Sequence, residues 1–223
     1  MNKEPKETSS NLILQSLLKY KDLDPVLIAP SGVAYAQALV IAKYIDACAE
    51  GLVIHKIAMP FRQDLIVGSM IEGEGPVWYE HVLAKLGMQP DDLGARIQSE
   101  RAQSQKELEK IRGGRMLTTL ANRLVIYLDD GLLPQPVLGS VVKFLKKKTC
   151  AKLVFATSVP NPNRFKINDS RIDEYIFYGE PPSELGLSGI HEDWIAINSG
   201  ALNGVNNMKP NFETVDPTRV CRD

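Results

Sequence analysis

The sequence predicts an α/β fold, with a mostly parallel central sheet, helices on both faces and a small hairpin region, or hood. Short apolar runs at 26–29, 52–54, 124–128, 153–156 and 174–178 have the length of buried strands. Stretches of helical period separate most of them. Asp129-Asp130-Gly131 follows the run Leu124-Val125-Ile126-Tyr127-Leu128 directly, and in open α/β sheets ligands collect beyond the carboxyl ends of strands.

A chain of 223 residues can bury one sizeable core. The organisation expected is a leader and helix over 1–24, one α/β domain over 25–199 and a tail over 200–223. With 26 Lys and Arg against 27 Asp and Glu, the formal charge of -1 provides no overall field toward nucleic acid or an anionic membrane. Neither a long uncharged apolar run nor a secretory apolar region after the charged start is present in the sequence, so a soluble cytoplasmic protein is expected. Cys48, Cys150 and Cys221 are odd in number and lack CxxC or His-linked spacing, and they read as reduced thiols with no metal site.

Taken in order, Ser9 or Ser10 caps a short amphipathic helix carrying Leu12, Ile13, Leu17 and Leu18. Asp24-Pro25 breaks the chain, Val26 to Pro30 forms a strand, and Ser31-Gly32 turns after it. The spacing of Val33, Ala36, Val40, Ile41, Tyr44, Ile45 and Cys48 predicts a helix over 33–49, ended by Gly51. Leu52-Val53-Ile54 opens the next strand, with His55 and Lys56 at its end, completing a right-handed βαβ unit. A polar loop over 59–64 leads to a hairpin of 65–71 and 77–79 around Glu72-Gly73-Glu74-Gly75-Pro76. His81 to Leu86 is a short helix closed by Gly87.

Pro90 opens a long helix to about Ile111, so poor in apolar residues that it is expected to be mostly solvated, with Glu100 and Arg101 in solvent-facing pairs. Pro136 suits the first turn of a helix carrying Val137, Val141, Phe144 and Leu145, whose C-terminal end is complemented by Lys146, Lys147 and Lys148. Leu153 to Ala156 is a strand, Asn161-Pro162-Asn163 a turn, and Glu174 to Tyr178 the last strand, stopped by Pro181-Pro182.

Among residues that could carry chemistry, Asp129 and Asp130 could bind ribose hydroxyls, hold a divalent cation, or cap the next turn. Arg112-Gly113-Gly114-Arg115 offers guanidinium forks and glycine N–H groups to an anion, and is equally an ordinary helix ending. His55 and His191 read as surface or loop residues, and the Lys143 to Lys148 cluster as a solvated helix end.

The order of the 26–32 segment, Val53-Ile54-His55-Lys56, Gly68-Ser69-Met70-Ile71-Glu72-Gly73-Glu74-Gly75, the long helix ending in Arg112-Gly113-Gly114-Arg115, and the 125–131 segment resembles the uncharacterised bacterial and archaeal branch of type I phosphoribosyltransferases. The resemblance covers roughly 25–195 and includes Glu192-Asp193-Trp194. It implies binding of 5-phosphoribosyl diphosphate with Mg2+ on the diphosphate. Asp129 and Asp130 would hold the ribose 2- and 3-hydroxyls as the catalytic pair. Ser31, Gly32 and Lys56 would face the diphosphate, Arg112 and Arg115 would add anion contacts, and Gly131 and Gln135 would belong to the loop around the 5-phosphate.

Departures fall on the phosphate-binding parts. Pro134-Gln135-Pro136-Val137 stands where a Thr-Gly-x-Thr run is usual, and proline supplies no N–H to an anion. Pro30-Ser31-Gly32-Val33 is one residue short of Pro-Arg-Gly-Gly-Val and lacks its Arg, and His55-Lys56 stands for Arg-Lys. Two functions are therefore implied: transfer of a phosphoribosyl group to an acceptor, or a phosphoribosyltransferase fold without catalysis that serves as a ligand sensor or interaction subunit. Both give the protein a small-molecule ribose-phosphate ligand and neither a nucleic acid nor a membrane partner; a homo-oligomer stays open.

Overall fold

A computed structural model describes residues 9–157, 170–177 and Cys221. Two sheets organise these residues. The larger has five parallel strands in the order β2-β1-β6-β7-β8, formed by β1 (Val26–Pro30), β2 (Cys48–Leu52), β6 (Leu124–Asp129), β7 (Lys152–Thr157) and β8 (Glu174–Phe177). The smaller is antiparallel, β3 (Ile54–Met59), β4 (Arg62–Ile71) and β5 (Val77–Trp78), and is the hood. The helices are α1 (Ser9–Leu17), α2 (Val33–Tyr44), α3 (Glu80–Leu86), α4 (Gly94–Arg112) and α5 (Gln135–Lys147).

Strand alternation builds two apolar layers on the large sheet. Leu27, Ala29, Ile126, Leu128, Val154 and Ala156 meet α2 and the Ile13, Leu17 and Tyr20 side chains. Val26, Ile28, Val125, Tyr127, Leu153 and Phe155 meet α5 through Val137, Leu138, Val141 and Leu145. The expected helices on both faces are present. A separate small core of Ile57, Val67, Met70, Leu83 and Leu93 stabilises the hood.

Several boundaries differ from the sequence reading. The helix expected over 33–49 ends at Tyr44, where Asp46 turns the chain with a positive φ of 51°. Cys48 and Gly51 lie on β2, and a Cβ on Gly51 would stand 3.0 Å from the Tyr35 ring, so the glycine admits the α2 tyrosine against the strand. Apolar spacing ran across this turn because β2 follows the helix after only three residues. His55 and Lys56 lie within hood strand β3, past the end of β2, and the expected 59–64 loop is a tight turn between β3 and β4. The strand of 174–178 is found as β8, and Pro25, Gly87, Pro90 and Pro136 fall at the breaks and helix ends expected of them. His191, the 161–163 turn, Pro181-Pro182 and Glu192-Asp193-Trp194 lie outside the described residues.

The cysteine reading is corrected. Cys48 and Cys221 form a disulfide across a sequence separation of 173, with Cα atoms 4.9 Å apart, while Cys150 is free and buried. Spacing rules see only neighbours in sequence, so a pair closed by the fold escapes them. Denatured without reductant, the protein should show one alkylatable thiol, and three after reduction; mass spectrometry after iodoacetamide treatment measures both counts, and three from the start would contradict the pairing.

Candidate functional site

Parallel pairing of β1 with β6, Val26 opposite Val125 and Ile28 opposite Tyr127, brings their carboxyl ends to the same edge of the sheet. Ser31-Gly32 leaves one strand there and Asp129-Asp130-Gly131 the other. Asp129 is only 2% exposed, and its Oδ2 accepts a hydrogen bond from Thr157 Oγ1 at 3.0 Å, across the β6–β7 register. Asp130 is half-buried, and its Oδ1 accepts from the Leu132 N–H at 2.9 Å, which closes a local turn completed by Gly131 at φ 79°. Turn-capping therefore engages one oxygen of Asp130.

The following loop departs from an anion cradle in the way its prolines predict. Pro134 precedes the first helical residue, Gln135, which is exposed. Pro136 has no N–H, and the N–H groups of Val137 and Leu138 both donate to the Pro134 carbonyl, at 2.9 and 3.1 Å. In the first turn of α5 this leaves Gln135 as the residue whose N–H is not drawn back onto Pro134.

Helix α4 contributes a polar seam that the sequence reading placed in solvent. Glu100, Ser104, Glu107 and Ile111 share one face at i, i+4, i+7 and i+11 spacing, and this is the face turned to the protein. Glu100 and His55 are buried; His55 Nδ1 lies 2.7 Å from Glu100 Oε2, and Arg96 Nη2 lies 2.7 Å from Glu100 Oε1. On the other side of the imidazole, Nε2 is 3.4 Å from Glu107 Oε2, while Glu107 Oε1 accepts from the Ser31 hydroxyl. The expectation of solvent-facing Glu100 and a surface His55 is thus corrected: each is the buried partner of the other. Pairing with Glu107 first, and with Glu100, holds His55 above its ordinary value of 6.5 against the opposing effect of burial; the pairing with His55 holds Glu107 below its ordinary 4.5.

A second polar cluster closes the junction of the two sheets. The Glu72 N–H donates to the Val53 carbonyl at 3.1 Å and its Oε2 accepts from the Val53 N–H at 2.9 Å, while Oε1 accepts from Arg112 Nη2. Arg112 Nη1 also lies 3.7 Å from Glu50 Oε2, and Arg115 Nη2 donates to Glu50 Oε1 at 2.9 Å. The Arg112 side chain is fully buried, as is that of Glu50. Burial raises the Glu50 carboxyl, opposed by Arg115 and Arg112.

The structure therefore brings together Ser31, Gly32, Asp129, Asp130, Gly131 and Gln135 along one sheet edge, and assigns Arg112 and Arg115 to internal carboxylates. Lys56 is exposed on β3, opposite Ser69 in the hood ladder. Glu50, Glu72 and Glu107 were given no role, and Glu100 was placed in solvent, because apolar spacing does not mark the buried face of so polar a helix. The available signal was the periodic polar stripe of 100, 104 and 107.

The fold is similar to that of TT1426 from Thermus thermophilus, with a TM-score of 0.59 and 17% identity over 85% of this chain and 93% of that one. Also similar are the L. donovani hypoxanthine-guanine phosphoribosyltransferase (TM-score 0.43, 10% identity, 78% of each chain) and a Staphylococcus aureus hypoxanthine phosphoribosyltransferase (0.42, 16%, 82% of this chain and 85% of that one). At 17% identity the likeness to TT1426 is one of fold. No family model matches the sequence, and no curated protein is significantly similar to it.

Two stability effects follow from the clusters. A raised His55 contributes stability that is complete below its unfolded value near 6.5 and disappears as pH rises through the higher folded value. A lowered Glu107 contributes stability present above about 4.5 and lost as pH falls through its lower folded value. Urea unfolding measured across pH should show both losses, and His55→Gln should abolish the alkaline one. Arg112→Met strands the buried Glu72 carboxylate, while Glu50 keeps Arg115, and should cost about 3–5 kcal/mol, with much of it recovered when Glu72 is also changed to Gln; urea midpoints of the single and double variants test this.

Proposed function

We propose that the protein binds a ribose-phosphate ligand at the carboxyl edge of its parallel sheet, with Asp129 and Asp130 accepting hydrogen bonds from the ribose hydroxyls, and that it works as a ligand-binding protein in preference to a phosphoribosyl transferase. The start of α5 carries this reading: Pro134 and Pro136 withdraw N–H groups from the place where the 5-phosphate would be cradled. Transfer through an oxocarbenium-like transition state relies on positioning and electrostatic stabilisation, so lost anion donors weaken it directly. Binding of a diol needs only the acidic pair, which is present.

The remaining site residues fit this division. Ser31 and Gly32 would meet an anionic group on the ligand, Gly131 sets the turn that presents Asp130, and Gln135 offers an N–H and a side-chain amide at the helix start. Lys56 would supply long-range positive charge from the hood, and Arg112 and Arg115 support the site through the sheet junction. Among the described residues no cluster of three His, Cys, Asp or Glu could hold a metal alone. Mg2+, where it takes part, would come on the diphosphate oxygens of the ligand and neutralise their charge, with Asp130 the half-buried carboxylate able to approach it.

Calorimetric titration with ribose 5-phosphate, phosphoribosyl diphosphate with Mg2+, and nucleotides tests the proposal. At least one ribose phosphate should bind, with affinity at least tenfold lower in Asp130→Asn, and phosphoribosyl diphosphate with Mg2+ and nucleobases should release no diphosphate. Failure of every ligand to bind would overturn the binding reading. Diphosphate release that is lost in Asp130→Asn would establish the transferase reading in its place.

A further inference from the structure

The Cys48–Cys221 bond joins distant parts of the architecture. Cys48 opens β2, the outer strand of the five-stranded sheet, with Val26 of β1 opposite it. Phe177 closes β8 at the other edge of that sheet, and Cys221 comes at the far end of the chain. The bond therefore returns the chain end to the sheet edge opposite β8. Its sequence separation of 173 encloses everything from β2 to β8, and a cross-link over so long a loop strongly restrains the unfolded chain.

Cys48 is half-buried while Cys221 is buried, so the β2 end of the bond is the side on which a thiolate can approach. Cys150 supplies no such thiolate: it is buried in the apolar layer that meets α5, and burial pushes its thiol up. The state of the bond is thus set by reagents from outside the chain. The layer itself is built by β1, β6, β7 and α5, to which Cys221 adds one small side chain, so the core does not hang on the bond. Strand β2 does feel it. Cys48, Glu50 and Leu52 share one face of that strand, and Glu50 holds Arg115 and lies near Arg112.

We propose that the Cys48–Cys221 bond is a reversible redox latch, which clamps the chain end to the outer strand in the oxidised protein and releases Cys221 in the reduced one while the two-sheet fold persists. The reductant is a dithiol. One of its thiolates attacks the Cys48 sulfur, the Cys48–Cys221 bond breaks, and Cys221 leaves as a thiolate that takes up a proton. The second thiolate then attacks the mixed disulfide and expels Cys48, which takes up a proton in turn. The dithiol ends as a cyclic disulfide, and its two electrons reside on the Cys48 and Cys221 sulfurs. An oxidised dithiol runs the same steps backward and closes the latch. None of this depends on which ligand the carboxyl edge of the sheet takes.

Mixtures of reduced and oxidised dithiothreitol, applied to the full chain without denaturant at about pH 8, where thiolates form, provide the test. Iodoacetamide trapping and mass spectrometry should show Cys48 and Cys221 opening together and closing again on reoxidation, with Cys150 alkylated only after denaturation. The reduced protein should keep its far-UV circular dichroism and a cooperative thermal transition, lowered by at least about 5 °C. Its β2 amides should exchange hydrogen at least tenfold faster than in the oxidised protein. Cys48→Ser should show the reduced protein's transition with or without reductant; where that variant folds poorly, the titration of the unaltered chain still decides. A bond that resists reduction short of unfolding, a thermal transition abolished by reduction, or β2 exchange that reduction leaves unchanged would each make the bond a fixed staple and overturn the latch.

Discussion

Arg112 is the residue on which the relation between sheet and hood depends. Its guanidinium, fully buried, pairs with Glu72 at the end of the hood strand and lies near Glu50 on the outer strand of the parallel sheet. Glu72 in turn bonds the Val53 backbone through both its own N–H and its carboxylate, and Val53 is the single residue between β2 and β3. One side chain therefore joins the last turn of α4, the strand crossover and the sheet edge. Buried charges of this kind are costly to desolvate, and they persist where each partner would be stranded without the others.

Helix α4 extends the same logic. Its inward face is built from Glu100, Ser104, Glu107 and Arg112, and the groups it meets, His55, Ser31, Glu50 and Glu72, are polar in kind. A helix that contacts its neighbours through hydrogen bonds and ion pairs gains geometric specificity where an apolar contact would gain mainly area. That specificity places a carboxylate at the turn after β1 and positive charge at the junction beyond β2.

Strands β1, β6, β7 and β8 were legible in the sequence as mostly apolar runs, and Pro25, Gly87, Pro90 and Pro136 mark breaks along the chain, whereas β2, which carries Glu50 and Gly51, was not read as a strand. Asp129 and Asp130 were legible for the same reason: a strand that ends in carboxylates declares its own carboxyl edge. Cys48 was read into a helix because β2 follows α2 after a short turn and keeps apolar residues in step with it. The partners of Arg112, Arg115 and His55 were not legible, since each lies on an element distant in sequence and its identity is fixed only when α4 docks. A polar helix gives no apolar signal of which face is buried, so its polar partners could be seen only in the folded chain.

The two carboxylate clusters differ in exposure. Glu50 and Arg112 have no exposed side-chain surface, and separating them leaves charge in the interior at a cost of about 3–5 kcal/mol. Glu107 keeps a third of its side chain in water, so its pairing is nearer the exposed pairs worth about 0–1 kcal/mol, and a released carboxylate is rehydrated. Arg112 is therefore fixed between internal carboxylates, while Arg115 pairs with Glu50 from a partly exposed position. Ser31 and His55 thus share the more exposed of the two carboxylate partners.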